Sequence, residues 1–378
     1  MLTEIITDQD IRLNTIEEAI ADIRDGKIII VVDDEDRENE GDFICAAEKI
    51  TPEVVNFMAK YGRGLICTPI LEQRAKELDL ELMVKSNTAM HNTAFTVSID
   101  LIGQGCTTGI SAYDRSTGIK ALIHPDTKAA DFARPGHIFP LIAKQGGVLR
   151  RTGHTEAAVD LARLAGCYPA GVLVEILNED GSMARLPQLL DISQHLGIKI
   201  VSIKDLVAYR MQTERLVTLE METEIETAYG KFSVKAFRQI TTGDLHLAFT
   251  MGEVSDGAPS LVRVHSNTET GDILGILFDG YAEQLTRSLQ IIAQAKKGVL
   301  LFMRHGEKTE SILDKLKSLD NNPANNPAAS DEQRDFGTGA QILRELGISK
   351  IKLISNHSKK RIGLIGYGLE IVENVHLD

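Results

Sequence analysis

The stretch KIIIVVDDEDRENEGDFICAA, residues 27–47, predicts how the first half of the chain folds. Its first part, Lys27 to Val32, is rich in β-branched side chains and predicts a buried strand. The next ten residues, Asp33 to Asp42, hold seven carboxylates and one arginine and predict an acidic loop. Just upstream, residues 15–26 have apolar side chains on one helical face and end at Gly26, which predicts an amphipathic helix.

Outward from this stretch, strands and helices continue to alternate, which predicts an α/β or α+β fold. The first half gives helices at 52–61 and 154–165 and strands at 64–68 and 171–177. Residues 200–215 read as a charged connector, so we place a boundary near residue 205, between domains 1–205 and 206–378. The second half gives strands within 216–250 and at 298–303 and 350–355, helices at 283–295 and 339–347, and a mobile loop at 320–330.

Length and composition exclude several classes of protein. A chain of 378 residues is longer than one hydrophobic core usually serves, which agrees with two domains. The formal charge of -13 does not suit a nucleic-acid partner but does suit divalent cations. The longest aliphatic run is five residues, Ile28 to Val32, and the acidic N-terminus lacks the features of a signal peptide. We therefore expect a cytoplasmic protein with no membrane partner.

The four cysteines, Cys45, Cys67, Cys106 and Cys167, are widely spaced and all lie in the first half. They predict neither a disulfide framework nor a sulfur-rich zinc site.

Asp33 to Asp42 is the first candidate site. So many like charges are best tolerated around a cation. A calcium EF-hand that starts at Asp36 fails, because its twelfth position is Ala47 rather than Glu. Magnesium, held by one or two carboxylates and substrate oxygens, fits better. A solvated acidic loop without a ligand is the alternative interpretation.

RRTGHT, Arg150 to Thr155, is the second candidate site, because it leads directly into a helix. Free N–H groups and the helix dipole favour an anion there, and arginine adds bidentate recognition. These features predict a phosphate site, with His154 as a candidate metal ligand. A plain helix-capping loop is the alternative.

Two single residues complete the candidates. Glu175 lies within the apolar strand GVLVEIL, where a carboxylate is costly unless it is paired, ligated or used as an acid or base. His137 lies in RPGHIFPL, a loop stiffened by two prolines, and is a candidate acid/base or substrate clamp. A half-exposed strand position and a surface histidine are the alternatives. Together the residues predict a magnesium-dependent enzyme that acts on a small phosphorylated compound.

Four strings carry a resemblance to a known family: DDEDRENEGDF (33–43), CTTGISAYDRSTGI (106–119), RPGHIFPLIAKQGGVLRRTGHTEAAVDLARLAG (134–166) and GVLVEILNEDGSMAR (171–185). They closely resemble 3,4-dihydroxy-2-butanone 4-phosphate synthase. The resemblance implies an αβ domain that converts D-ribulose 5-phosphate to L-3,4-dihydroxy-2-butanone 4-phosphate and formate for riboflavin biosynthesis. It implies Mg²⁺ as the cofactor, with Mn²⁺ as the alternative ion, and a homodimer with active sites near the subunit interface.

The same resemblance implies roles for individual residues. Glu38 and His154 match the metal ligands, and His137 and Glu175 match positions essential for activity. The residues that match substrate contacts are Arg37, Glu38, Asp42, Arg151, Thr152, Gly153, His154, Thr155 and Glu175.

The second half resembles GTP cyclohydrolase II through LVRVHS (261–266), RDFGTGAQILRELGISKIKLISN (334–356) and YGLEIVE (367–373). That family holds zinc with three cysteines, at positions that here read Thr268, Asp279 and Tyr281. Thr and Tyr are poor zinc ligands, and one Asp cannot hold the ion alone. We therefore expect no zinc and a catalytically inactive α+β domain.

Two further departures support this expectation. The run that contacts GTP in the family reads Arg304 to Thr309 here, and the general-base position reads Glu332, although Arg334 is kept. A domain without this activity could bind a regulatory nucleotide or another enzyme of the pathway. The alternative is a bifunctional enzyme that hydrolyses GTP through a repurposed site, using Asp279, His305 or His265.

Overall fold

The computed structural model describes residues 13–35, 37–240, 242–267, 281–304, 336–355 and 368–377. The chain divides into two compact units, Met1–Tyr209 and Arg210–Asp378. Each unit contains a mixed sheet with helices packed on it, so the predicted two-domain α/β or α+β class is confirmed. In the described parts of the chain, no helix is long and apolar enough to cross a membrane.

The first unit has a sheet of seven strands in the order β4-β5-β3-β6-β2-β1-β7. The strands are β1 Ile29–Val32, β2 Gly41–Ala46, β3 Cys67–Leu71, β4 Ile99–Leu101, β5 Phe132–Ala143, β6 Gly171–Glu175 and β7 Ile200–Ser202. The helices are α1 Ile16–Arg24, α2 Pro52–Phe57, α3 Glu72–Glu77, α4 Ala112–Ile123, α5 His154–Leu164 and α6 Leu186–Leu196, and α7 Ile203–Thr213 spans the boundary at Tyr209. Strand β2 pairs antiparallel with β1 and β6, whereas β3 and β5 pair in parallel.

Alternate residues of each strand face opposite sides of this sheet, and helices cover both sides. On one side, Phe43 and Val174 belong to a core that also contains residues of α2, α4 and α6. On the other side, α5 packs on β2, β3 and β6, and α1 packs on α5. Helix α5 approaches closely because Gly171 lacks a side chain, and a Cβ there would lie 2.7 Å from Cβ of Ala158.

Two predicted loops are regular structure, so these predictions were wrong. The connector at 200–215 is strand β7 followed by α7, because buried apolar residues such as Ile203 and Leu206 alternate with its charges. The segment RPGHIFPL lies within β5, with a cis bond between Arg134 and Pro135. Pro135 is tolerated because β4, its neighbour at the edge of the sheet, pairs with β5 irregularly.

The second unit has a sheet in the order β14-β13-β11-β12-β10-β9-β8. In the described residues its strands are β8 Val217–Thr227, β9 Gly230–Gln239, β10 Leu245–Met251, β11 Ser260–Asn267, β12 Gly298–Arg304, β13 Lys350–Ile354 and β14 Glu370–Val375, and its helices there are α8 Tyr281–Ala295 and α9 Phe336–Glu345. The edge hairpin β8–β9 carries cross-strand ion pairs between exposed side chains, such as Arg238 with Glu220. Such charges disfavour pairing of the sheet edge with another strand. The loop predicted at 320–330 lies outside the described residues.

Candidate active site

The candidate site of the first unit lies where the start of α5 meets strands β1, β2 and β6. Val31 pairs with Asp42, and Asp42 pairs with Glu175. Because Phe43 faces the opposite core, Asp42 and Glu175 face the side of the sheet covered by α5. The sheet therefore presents two carboxylates side by side beneath the start of that helix.

The acidic loop between β1 and β2 is organised by Asp33, whose side chain is fully buried. Its Oδ2 accepts from the backbone N–H of Glu38 at 3.1 Å, and its Oδ1 accepts from that of Glu40 at 2.8 Å. Arg37 Nη1 also lies 2.8 Å from Oδ2. Asp33 thus stabilises the backbone conformation of residues 37–40, in which the Glu38 side chain lies beside His154.

Three groups could hold a metal ion here. Single ligand atoms of Asp33, Glu38 and His154 all lie within 4.8 Å of one another. Nε2 of His154 lies 3.1 Å from the carbonyl oxygen of Val31, which can only accept, so Nε2 carries the proton. Nδ1 is then the available ligand atom, and it lies 3.8 Å from Oε2 of Glu38. This donor set, with one ring nitrogen oriented by a backbone carbonyl, fits a divalent ion.

The charges of these groups are strongly coupled. Burial alone would raise the pKa of Glu38, but His154 and Arg37 outweigh it and lower this pKa to about 2. Burial alone would lower the pKa of His154, but Asp42 and Glu38 raise it to about 9. Without a metal ion, the protonated imidazole therefore neutralises part of the acidic loop.

Asp42 is a second buried carboxyl of the site, and burial changes its pKa strongly. It is fully buried, and burial raises its pKa to about 7. Among the described residues, its Oδ1 has no hydrogen-bond partner. A buried carboxyl oxygen without a partner is costly unless a ligand or ion completes it. This atom therefore supports the fit of a cation or a substrate hydroxyl at this position.

Two guanidinium groups meet at the start of α5, the predicted phosphate site. Helix α5 begins after Gly153 without a side-chain cap, which leaves its first N–H groups available to an anion. A Cβ on Gly153 would overlap Nη1 of Arg151 and lie 3.0 Å from Nη2 of Arg37. Arg151 is in turn held by Glu156, at 2.7 Å, and by the carbonyl oxygen of His91, at 3.1 Å. Of the other predicted contacts in this run, Thr155 is buried and Thr152 is exposed.

Glu175 lies at the end of β6, as the sequence predicts, and is half-buried. Its Oε2 accepts a hydrogen bond of 2.8 Å from the backbone N–H of Leu65. Gly64 permits this approach, because a Cβ there would lie 2.5 Å from the same oxygen. Because Glu175 pairs with Asp42 across the strands, the two side chains lie on the same side of the sheet.

His137 is not joined to this cluster. Its hydrogen bonds in the described chain go to Asp100, and its side chain is 44% exposed. Phe139, two residues after His137 on β5, pairs with Cys67 on β3, the strand that lies between β5 and β6. His137 therefore lies toward the same end of the sheet as Glu175, but its described contacts are with Asp100.

Sequence reasoning missed three charged residues that hold the site. Asp33 was counted only as part of the acidic run, although it organises the loop. Arg185 donates through Nη1 to the carbonyl oxygens of Glu38, at 2.8 Å, and Asn39. Asp100 binds His137. Arg185 ends one of the motifs that carry the resemblance, which was its only signal, and Asp100 had none.

In the second unit, most predicted positions lie outside the described residues: Thr268, Asp279, 305–309, Glu332 and Arg334. Tyr281 is the first residue of α8, and Arg304 is the last of β12. His265 is buried on β11 and stacks on Phe302, with ring centroids 5.3 Å apart.

Comparisons with known proteins agree with this division. The family model of 3,4-dihydroxy-2-butanone 4-phosphate synthase matches residues 17–209, and that of GTP cyclohydrolase II matches residues 218–376. The riboflavin biosynthesis protein RibBA of Cytophaga hutchinsonii is 56% identical, over 98% of this chain and 93% of its own. RibBA of Parabacteroides distasonis is 52% identical, again over 98% and 93%.

Solved structures give the same result. RibBX of A. baumannii, described as a two-domain 3,4-dihydroxy-2-butanone 4-phosphate synthase, matches with a TM-score of 0.68 and 41% identity, over 96% of this chain and 99% of its own. A 3,4-dihydroxy-2-butanone 4-phosphate synthase in complex with two magnesium ions matches 53% of this chain and 98% of its own, with a TM-score of 0.51 and 40% identity. The resemblance drawn from the sequence is thereby confirmed, and the chain belongs to the 3,4-dihydroxy-2-butanone 4-phosphate synthase family, with a second domain of the GTP cyclohydrolase II family.

Proposed function

We propose that the first unit converts D-ribulose 5-phosphate to L-3,4-dihydroxy-2-butanone 4-phosphate and formate in riboflavin biosynthesis. The observation that carries this proposal is the convergence of Glu38, His154, Asp42 and Glu175 beneath the uncapped start of α5. A phosphate handle and a cation site within one cluster suit a sugar phosphate that must be enolised and rearranged.

The substrate phosphate is held by the first N–H groups of α5 together with Arg37 and Arg151. Arg37 Nη1 also lies 2.9 Å from Glu38, so it connects the phosphate end to the metal end of the site. Binding energy from the phosphate then positions the carbonyl end of the sugar over Asp42 and Glu175.

Glu38 and His154 are the ligands that we assign to Mg²⁺, with Mn²⁺ as the alternative ion. The ion would chelate adjacent substrate oxygens and stabilise the enediolate when bound. The paired carboxylates Asp42 and Glu175, together with His137, are the candidates for moving protons. The magnesium complex of the 40%-identical synthase supports the choice of ion.

Exposed apolar side chains support a homodimer. All the large exposed apolar residues described in the first unit lie between residues 65 and 113: Leu65, Leu82, Met83, Val84, Met90, Ile102, Ile110 and Tyr113. Exposed apolar side chains of this kind are typical of interaction surfaces. Asp100, which holds the exposed His137, belongs to the same segment, so we expect the dimer contact to lie near this ring.

We propose that the second unit does not hydrolyse GTP. Residues 168–378 contain no cysteine, so the three thiolates that hold zinc in that family are missing. RibBX, a two-domain relative described as a synthase, supports a chain with this single activity. The match of residues 218–376 to the GTP cyclohydrolase II family favours the second candidate, a bifunctional enzyme that uses a repurposed site. The retained fold could instead bind a regulatory nucleotide or another riboflavin enzyme.

One assay separates these functions. Purified protein is incubated with ribulose 5-phosphate and Mg²⁺, and separately with GTP and Zn²⁺, and released formate is measured in both. We expect formate only from the sugar phosphate and none in the Glu38→Gln variant. The control Glu72→Gln alters an exposed ion pair with Lys76 and should match wild type. Formate from GTP would refute the inactive second unit, and no formate from ribulose 5-phosphate would refute the synthase assignment.

A further inference from the structure

Asp100, on the short edge strand β4, binds His137 at two points. Its Oδ1 accepts the backbone N–H of His137 at 2.8 Å, and its Oδ2 lies 2.7 Å from the ring Nδ1. The carboxylate is 16% exposed, whereas the imidazole is 44% exposed. One side chain therefore holds both the backbone and the ring of an exposed histidine.

These two contacts determine which ring nitrogen carries the proton. A backbone N–H only donates, and an ionised carboxylate only accepts. Nδ1 of His137 must therefore carry a hydrogen to bind Oδ2. In the neutral ring, Nε2 then keeps its lone pair and is the nitrogen that can accept a proton.

The surrounding backbone leaves room for this pair. Gly109 has a φ of 94° and lies against the Asp100 carboxylate, which a Cβ at that position would overlap. Gly136 lies against the backbone of Ile99, and its N–H donates to Oγ of Ser98 at 3.1 Å. Ser98 and Asp100 thus fix the same segment of β5, but only Asp100 contacts the ring.

We propose that Asp100 is a positioning residue that fixes the ring orientation and tautomer of His137, so that Nε2 is presented as a base. Nε2 is then the ring nitrogen that can take a substrate proton during turnover, while the Asp100 carboxylate beside Nδ1 stabilises the imidazolium that forms. The role in turnover rests on the proposed synthase function. The tautomer itself does not.

Asp100→Asn tests this with almost no change of shape. The backbone N–H of His137 must meet the amide oxygen, so the NH₂ group of the new side chain faces the ring Nδ1. That nitrogen must then accept, which moves the ring proton to Nε2 and removes the base. We expect kcat for formate release to fall by about 10²- to 10⁴-fold, with KM for ribulose 5-phosphate within about threefold of wild type.

The matched control is Ser98→Ala, which removes the neighbouring hydrogen bond to the same segment. The kcat of Ser98→Ala should stay within about threefold of wild type, and its melting temperature should lie within a few degrees of that of Asp100→Asn. His137→Gln should lose as much kcat as Asp100→Asn, and the double variant no more than His137→Gln, because the two residues act as a unit. Wild-type kcat in Asp100→Asn, an equal loss in Ser98→Ala, or additive losses would overturn the proposal.

A long-range ¹H–¹⁵N spectrum of histidine-labelled protein reads the tautomer without turnover, and His137→Gln identifies the signal. We expect the neutral ring to be protonated at Nδ1 in wild type and in Ser98→Ala, and at Nε2 in Asp100→Asn. An Nε2-protonated wild type would overturn the proposal. If wild type releases no formate from ribulose 5-phosphate, the synthase function fails while this spectrum still decides the tautomer.

Discussion

Gly153→Ala would perturb the proposed phosphate site at the start of α5 and leave the metal ligands and paired carboxylates in place. Gly153 has an extended backbone, with φ of -110°, so alanine adds no backbone strain. Its Cβ would overlap Nη1 of Arg151 and come within 3.0 Å of Nη2 of Arg37. Both are ends of long side chains, so the protein can accommodate the methyl group only by moving the two guanidinium groups away from the start of α5.

The magnitude follows from the hydrogen bonds that would be lost. A hydrogen bond to a charged group contributes about 1.5–3 kcal/mol. Loss of one such bond to the phosphate lowers kcat/KM for ribulose 5-phosphate by about 10- to 150-fold. Arg151 would also loosen its 2.7 Å pair with Glu156, so we expect a loss of about 1 kcal/mol of stability, or 2–4 °C in the melting temperature.

Formate release at varied ribulose 5-phosphate measures kcat/KM, and inhibition by inorganic phosphate reports on the same site without turnover. Both should weaken together in Gly153→Ala. The control Gly339→Ala adds a methyl group where the nearest atom lies 3.7 Å away, and it should leave both constants unchanged. An unchanged kcat/KM in Gly153→Ala, with normal folding, would refute the assignment of the phosphate to this helix start.

Other predictions concern charge, loop order and domain independence. In metal-free protein, Asp42→Asn should raise the melting temperature at pH 8 by a few degrees but have no effect below pH 4: burial raises the pKa of Asp42 from 3.8 to about 7, so its charged form opposes folding only as the pH rises through that range. An equal effect at both pH values, seen by calorimetry, would contradict the buried-charge explanation. Arg185→Ala should weaken Mg²⁺ binding by about 10- to 100-fold in titration calorimetry, because it removes the donor to the carbonyl oxygens of Glu38 and Asn39; the exposed Lys76→Ala should not, and equal affinities would show that the loop orders itself. A chain that ends at residue 209 should retain formate release from ribulose 5-phosphate, since the first unit has its own core; loss of activity in a folded fragment would show that the second unit is required.

The sequence predicted those strands and helices that depend on the pattern of neighbouring side chains. The strand at Ile29–Val32, the helix from His154 and the strand that ends at Glu175 follow from short patterns of side-chain type, and all three form the site. Prediction failed where packing overrides such a pattern. The charges of 200–215 suggested a connector because the pattern does not reveal that Ile203 and Leu206 are buried. The two prolines around His137 suggested a loop, since proline disfavours a regular strand. The sequence does not reveal that this segment pairs irregularly with β4, which lets β5 include Pro135.

The proposed metal and substrate ligands and the residues that hold them differ in how far the sequence reveals them. His154 was predicted as a candidate metal ligand from its place in RRTGHT, whereas Glu38 was selected from the seven carboxylates of the acidic run only by the resemblance to the synthase family. Arg185, by contrast, acts on Glu38 across 147 residues of sequence, and the backbone of Leu65 acts on Glu175 across 110. Such contacts have no local pattern, since they depend on which strands become neighbours in the sheet.

Asp33, Asp100, Glu156 and Arg185 share a physical role. Each is a charged side chain whose hydrogen bonds go to the backbone or to another site residue, so none is left to bind substrate strongly. A carboxylate or guanidinium with several partners in fixed directions orients them far better than an apolar contact could. Substitution of Asp100, Glu156 or Arg185 should therefore alter metal affinity or kcat through geometry, whereas Asp33 is also one of the three groups that could hold the ion. A mutational scan limited to the proposed metal and substrate ligands would miss these four groups.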